Sequence, residues 1–187
     1  MNRYVLYSLL ALVAGCSTGP YLGPESTIGQ NALLSPTCPG AHAALSVAPQ
    51  SAELGWVRVL VYVAPPGEPS WPGNVKSADS ELRVFARLYK PSLNNGDIAL
   101  WVSAASPEVT VQLASGQTYQ VSVERLKTGF DPKEIRSSSS KGTPFGKGDM
   151  DDFTLIFPDI FVNGEKVPMA PIHFKKREER YAPVLNC

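Results

Sequence analysis

The stretch Trp56–Val63, WVRVLVYV, decides the fold. Valine at 57, 59, 61 and 63 fills one face of an extended chain, while Trp56, Leu60 and Tyr62 put large apolar groups on the other beside Arg58. Side chains alternate across a strand, and a strand apolar on both faces has to be covered on both. The stretch therefore predicts the central strand of a sheet. Just after it, Ala64–Asn74 (APPGEPSWPGN) has too many prolines for a hydrogen-bonded ladder and reads as a surface loop with Trp71 at its middle.

Further strands follow from period-two alternation. Glu81–Lys90 sets Leu82, Val84, Ala86 and Leu88 against Glu81, Arg83, Phe85, Arg87 and Tyr89. Pro91 ends it, Asn94-Asn95-Gly96 turns the chain, and Asp97–Val102 is a mostly apolar strand, so these two segments are expected to form a hairpin. Glu108–Leu113 and Thr118–Val123 are a clearer pair. Their apolar rows align only across an odd loop, such as Ser115–Gln117, or with a bulge, because a two-residue loop would set Leu113 against Thr118. Lys127–Asp152 lacks apolar periodicity and reads as a long loop. Phe153–Phe157 and Pro171–Lys175 are strands, and Asn163-Gly164 is a two-residue hairpin signal between apolar segments. With 17 prolines, 15 glycines and no apolar helical period in 187 residues, the fold class is all-β. An antiparallel β-sandwich of about seven or eight strands, with an immunoglobulin-like arrangement, fits this pattern; a closed barrel is the alternative.

The chain opens with MNRYVLYSLLALVAGC, in which Arg3 precedes the apolar run Val5–Val13. That run suits a signal peptide and is short of the roughly 20 residues that cross a bilayer. Val13-Ala14-Gly15-Cys16 resembles the lipobox of bacterial lipoproteins. The resemblance, confined to the leader, implies cleavage before Cys16 and acylation of Cys16 with chains such as palmitate. Ser17 at the next position implies an outer-membrane address, with the domain facing the periplasm. The expected organisation is a signal peptide over 1–15, a flexible tether over 16–37 and a sandwich domain over 38–187. The tether reading rests on the Ser, Thr, Gly, Ala and Pro content of the stretch, including Pro20, Pro24 and Pro36. With Cys16 lipidated, Cys38 and Cys187 are the remaining thiols in an oxidising compartment and are expected to pair.

Cleavage leaves 16 Lys+Arg against 17 Asp+Glu, so no net field favours nucleic acid. Gly142–Gly148 falls one residue short of a phosphate-binding loop and has Gly148 where a hydroxyl should hold magnesium. S-x-N, K-T-G and S-x-x-K appear at Ser92, Lys127 and Ser138, elements like those of penicillin-binding proteins, but the nucleophile motif comes last. Asp149, Asp151 and Asp152 lack the glycine and final glutamate of a calcium loop. His42 and His173 match neither a zinc set nor a hydrolase. No cofactor, metal or enzymatic activity is expected. Trp71, on a proline-stiffened loop, and the row Arg83, Arg87 and Tyr89 are the candidate binding residues, each with a bland alternative: a tryptophan folded onto the sandwich, and a solvated strand face.

Two functions fit. One is a noncatalytic envelope protein anchored by its N-terminal lipid and acting as a protein-interaction or assembly module. In overall plan it is similar to the small lipoproteins of type VI secretion, though it carries none of their motifs. The other is a periplasmic glycan or small-molecule binding module.

Overall fold

The computed structural model describes residues 17–33, 43–55, 57–64, 81–89, 100–123 and 142–181. Among them are thirteen strands and no helix. In chain order these are β1 (Ser17–Glu25), β2 (Gln30–Leu33), β3 (Ala43–Val47), β4 (Arg58–Ala64), β5 (Glu81–Tyr89), β6 (Val102–Ala104), β7 (Glu108–Leu113), β8 (Thr118–Ser122), β9 (Thr143–Lys147), β10 (Asp152–Ile156), β11 (Ile160–Val162), β12 (Glu165–Val167) and β13 (Ile172–Tyr181). They make two five-stranded sheets, β1-β13-β10-β7-β8 and β2-β3-β4-β5-β9, and a three-stranded one, β12-β11-β6. Every pairing is antiparallel and the architecture is a β-sandwich.

Arg58–Val63 lies in β4, the middle strand of its sheet. Val57, Val59, Val61 and Val63 are buried against one core with Leu82 and Val84 of β5 and Val109, Val111, Phe153, Leu155, Ile172 and Phe174 of the facing sheet. Phe153 anchors this core, stacked on Phe174 with centroids 5.6 Å apart and tilted against Phe145 at 5.2 Å. Such pairs contribute about 0.5–1.5 kcal/mol beyond the area that they bury. The other face of β4 is covered too: Tyr62 and Ala44 have no exposed surface and Phe85 has 3%.

Two of the three expected hairpins are present. Asn163 and Gly164 have φ of 50° and 84°, the left-handed values that a two-residue turn requires. The β7–β8 loop is odd, Ala114–Gly116, with Leu113 N–H donating to Gln117 O at 2.8 Å, and it sets Val111 against Tyr119 and Val109 against Val121.

Four expectations need correction. The stretch expected as tether contains β1, which pairs along its whole length with β13 from Ser17↔Tyr181 to Glu25↔His173, and β2. Pro20 and Pro24 are compatible with this because they stand four apart, so the missing N–H groups fall along one margin of an outermost strand. The hairpin expected between 81–90 and 97–102 is not formed among the described residues: β5 pairs with β4 and β9, whereas β6 pairs with β11 in the small sheet. The long loop expected over 127–152 ends in β9, held to β5 by four register pairs and by Phe145 turned into the core. Finally, strands number more than seven or eight because several have only three to five residues, too few for alternation to be read.

Candidate functional site

The small sheet carries the site. Leu100 and Val102 are each 3% exposed and enter the core, so Trp101 between them points the other way and is 59% exposed. Its backbone is gripped from both sides by the turn residue Asn163: Trp101 N–H donates to Asn163 Oδ1 at 2.7 Å, and Asn163 N–H donates to Trp101 O at 2.8 Å. Asn tolerates the left-handed conformation of the turn, and that conformation lets one residue return both hydrogen bonds.

The face around Trp101 follows from register. Ser103 stands opposite Phe161, and Phe161 opposite Lys166. Phe161 is half-buried, and Lys166 reaches Asp159 Oδ2 at 2.7 Å. The patch thus combines two aromatics with an exposed ion pair. Glu165 braces it from below by accepting the Ser51 N–H at 2.7 Å, and hydrogen bonds from the Ser51 hydroxyl and the main chain at Ser51 and Gln50 hold its carboxyl below the usual range. The turn of residues 51–55 is thereby tied to the β11–β12 hairpin.

A second polar assembly lies on the outer face of the other large sheet. His173 Nε2 is 2.8 Å from Asp152 Oδ1, and its Nδ1 is 3.7 Å from Glu25 Oε2. Lys175 approaches Asp152, and Arg177 pairs with Glu25. The hydrogen bond to His173 is the main cause that draws the Asp152 carboxyl below its ordinary value, aided by the charges of His173 and Lys175. Asp152 is thus engaged on β10, apart from Asp149 in the preceding turn.

Of the residues singled out in the sequence, Cys16, Cys38, His42, Trp71 and Cys187 lie outside the described residues. Arg83 lies on the face of β5 that carries Phe85; the side chains of Arg87 and Tyr89 are outside the description. Arg83 is held within the chain, its Nε donating to Glu81 Oε2 at 2.7 Å and its Nη1 to Gly142 O at 3.4 Å. The centre of that face is occupied by Phe85 stacked on Tyr62 at 4.8 Å and 1°, with Gly142 so close that a Cβ there would stand 2.6 Å from the Phe85 ring. Sequence reasoning passed over Trp101, although a signal for it existed: in Leu100-Trp101-Val102 the strand period puts the indole opposite two core residues. Comparison with family models, with curated proteins and with solved structures finds no match to this chain.

Proposed function

We propose that this is a lipid-anchored, noncatalytic cell-envelope protein that acts as a protein-interaction or assembly module on the periplasmic side of the outer membrane, with the Trp101 face as its contact surface. The observation that carries the reading is a 59% exposed tryptophan whose backbone is fixed by Asn163. A large amphipathic ring loses little conformational entropy on binding when its backbone is already ordered, which is why tryptophan recurs at the energetic centres of interfaces.

Affinity capture from solubilised membranes tests the reading. Trp101→Ala is expected to lose the captured partner while the chain stays folded. Retention of the partner, or capture of glycans in place of protein, would overturn it. The anchor is tested separately: Cys16→Ser is expected to move the chain from outer-membrane fractions to the soluble periplasm. The proposed Cys38–Cys187 bond closes a long loop and would stabilise the domain by up to about 5 kcal/mol on chain-entropy grounds. Nonreducing mass spectrometry should find the linked peptides, and two alkylatable thiols in unreduced, denatured protein would refute the bond.

A further inference from the structure

Strands at the margin of a sheet present main-chain donors and acceptors that invite another strand, and proteins guard them with proline, charge, bulges or brevity. Among the described strands, the margins of this sandwich are guarded with one exception. β1 contains Pro20 and Pro24; β9 contains Pro144 and Lys147 and shifts register against β5; β2 has four residues; β6 and β12 have three each, the latter with Glu165 and Lys166. β8 has none of these devices. Val109–Val123 holds no charged residue and no proline, and β8 keeps unbroken register with β7.

The hydrogen-bond phase of β8 is fixed by its ends. Leu113 N–H donates to Gln117 O and Val123 N–H donates to Pro107 O, so the main-chain groups of odd-numbered residues point at β7 and those of Thr118, Gln120 and Ser122 point outward. No described strand meets them. These three outward positions are symmetric about Gln120.

We propose that β8 is a dimerisation edge, where two copies of this chain pair their β8 strands antiparallel about a two-fold axis at Gln120 and join two five-stranded sheets into one. Gln120 then exchanges both bonds with Gln120 of the second copy, and Thr118 does so with Ser122. On the core side, half-buried Tyr119 of each copy faces half-buried Val121 of the other, an aromatic against a β-branched residue. Exposed Thr118, Gln120 and Ser122 meet one another on the opposite side, where the two amides at the axis can bond. Self-pairing puts no like charges together. Tyr119 also stiffens the edge, its hydroxyl donating to Phe145 O at 2.8 Å across to β9.

The inference is independent of the Trp101 reading, since Trp101 lies in the small sheet, so the two can fail separately. Sedimentation of the full mature chain, made soluble by Cys16→Ser, should show a dimer in the micromolar range. Gln120→Pro removes an outward N–H and leaves the β7 ladder intact; it is expected to yield a folded monomer. Gln120→Lys sets two ammonium groups across the axis and should weaken the dimer by roughly tenfold or more even where the proline variant folds poorly. In Gln120→Cys the two Cα atoms would lie about 5.5 Å apart, within disulfide reach, so mild oxidation should link the copies through residue 120. Thr118→Cys, offset from its own copy by roughly 14 Å, should not link. A monomeric parent chain, including one that binds an extended segment of another protein instead, overturns the proposal. So does a dimer that neither Gln120→Pro nor Gln120→Lys weakens.

Discussion

Two faces of this molecule carry aromatic side chains opposite the common core, with opposite outcomes. On the β4–β5 face, Tyr62 and Phe85 stack and are buried; on the small sheet, Trp101 is 59% exposed. Alternation places the aromatics in both cases. What separates them is the next layer. Gly142 lies against the Phe85 ring and its carbonyl accepts from Arg83, whereas the small sheet ends in the tight turn at Asn163-Gly164, which fixes the backbone of Trp101 and leaves its ring uncovered. An alternating pattern thus tells which side an aromatic takes, and the segments that return to that side decide whether it becomes core or contact surface.

The sharpest way to break this comparison is to remove each aromatic and measure denaturant unfolding. Phe85→Ala deletes a buried ring and its stacking partner's support and should cost about 3–5 kcal/mol. Trp101→Ala should change stability by less than about 0.5 kcal/mol, as expected of an exposed side chain. Equal losses would erase the distinction. An effect between these two is expected of Asn163→Ala, which puts a methyl-bearing residue at φ 50° without the side-chain acceptor for Trp101 N–H; a cost of about 1–2 kcal/mol follows from the left-handed backbone alone. Its sharper readout is Trp101 fluorescence anisotropy, which should fall as the ring gains freedom. The smallest effect belongs to the charged face of His173. The Asp152 carboxyl is drawn below its ordinary value of about 3.9, so its contribution is present above that pH and is lost as pH falls through the lower folded value. Melting temperatures taken downward from pH 5 should therefore fall more steeply for the parent chain than for Asp152→Asn, with the divergence below about pH 4. Parallel curves would show that the carboxylate contributes nothing.

How much was legible depended on how many residues each element had in which to declare itself. Trp56–Val63 announced a central strand because apolar groups on both faces admit no other placement, and the odd β7–β8 loop followed from matching Val109 and Val111 to Val121 and Tyr119. Asn163-Gly164 was legible because few residues take positive φ without strain. β1 was concealed by Pro20 and Pro24, which argue against a strand unless the outer margin is known in advance. β6, β11 and β12 were too short to show a period, and the site went unread with them, since Trp101 becomes a surface residue only when Leu100 and Val102 are known to point inward. Of the row Arg83, Arg87 and Tyr89, Arg83 lies on the face of β5 that carries Phe85. That Phe85 among them is covered depends on Gly142, far along the chain, and alternation within β5 holds no trace of it.

The pairing of Ser17 with Tyr181 bears on how the molecule is leashed. A chain acylated at Cys16 would enter its first strand at the very next residue, so the expected slack, about 25 Å for a flexible coil of 21 residues, shrinks to a single peptide step of about 3.8 Å. Such a lipid would act as a pivot set directly in the sandwich wall. Thr18↔Arg180 would lie at headgroup level, while the opposite end of β1, at Glu25, stands up to roughly 30 Å higher when the strand is upright. Partners would then have to come down to the bilayer to meet such a domain.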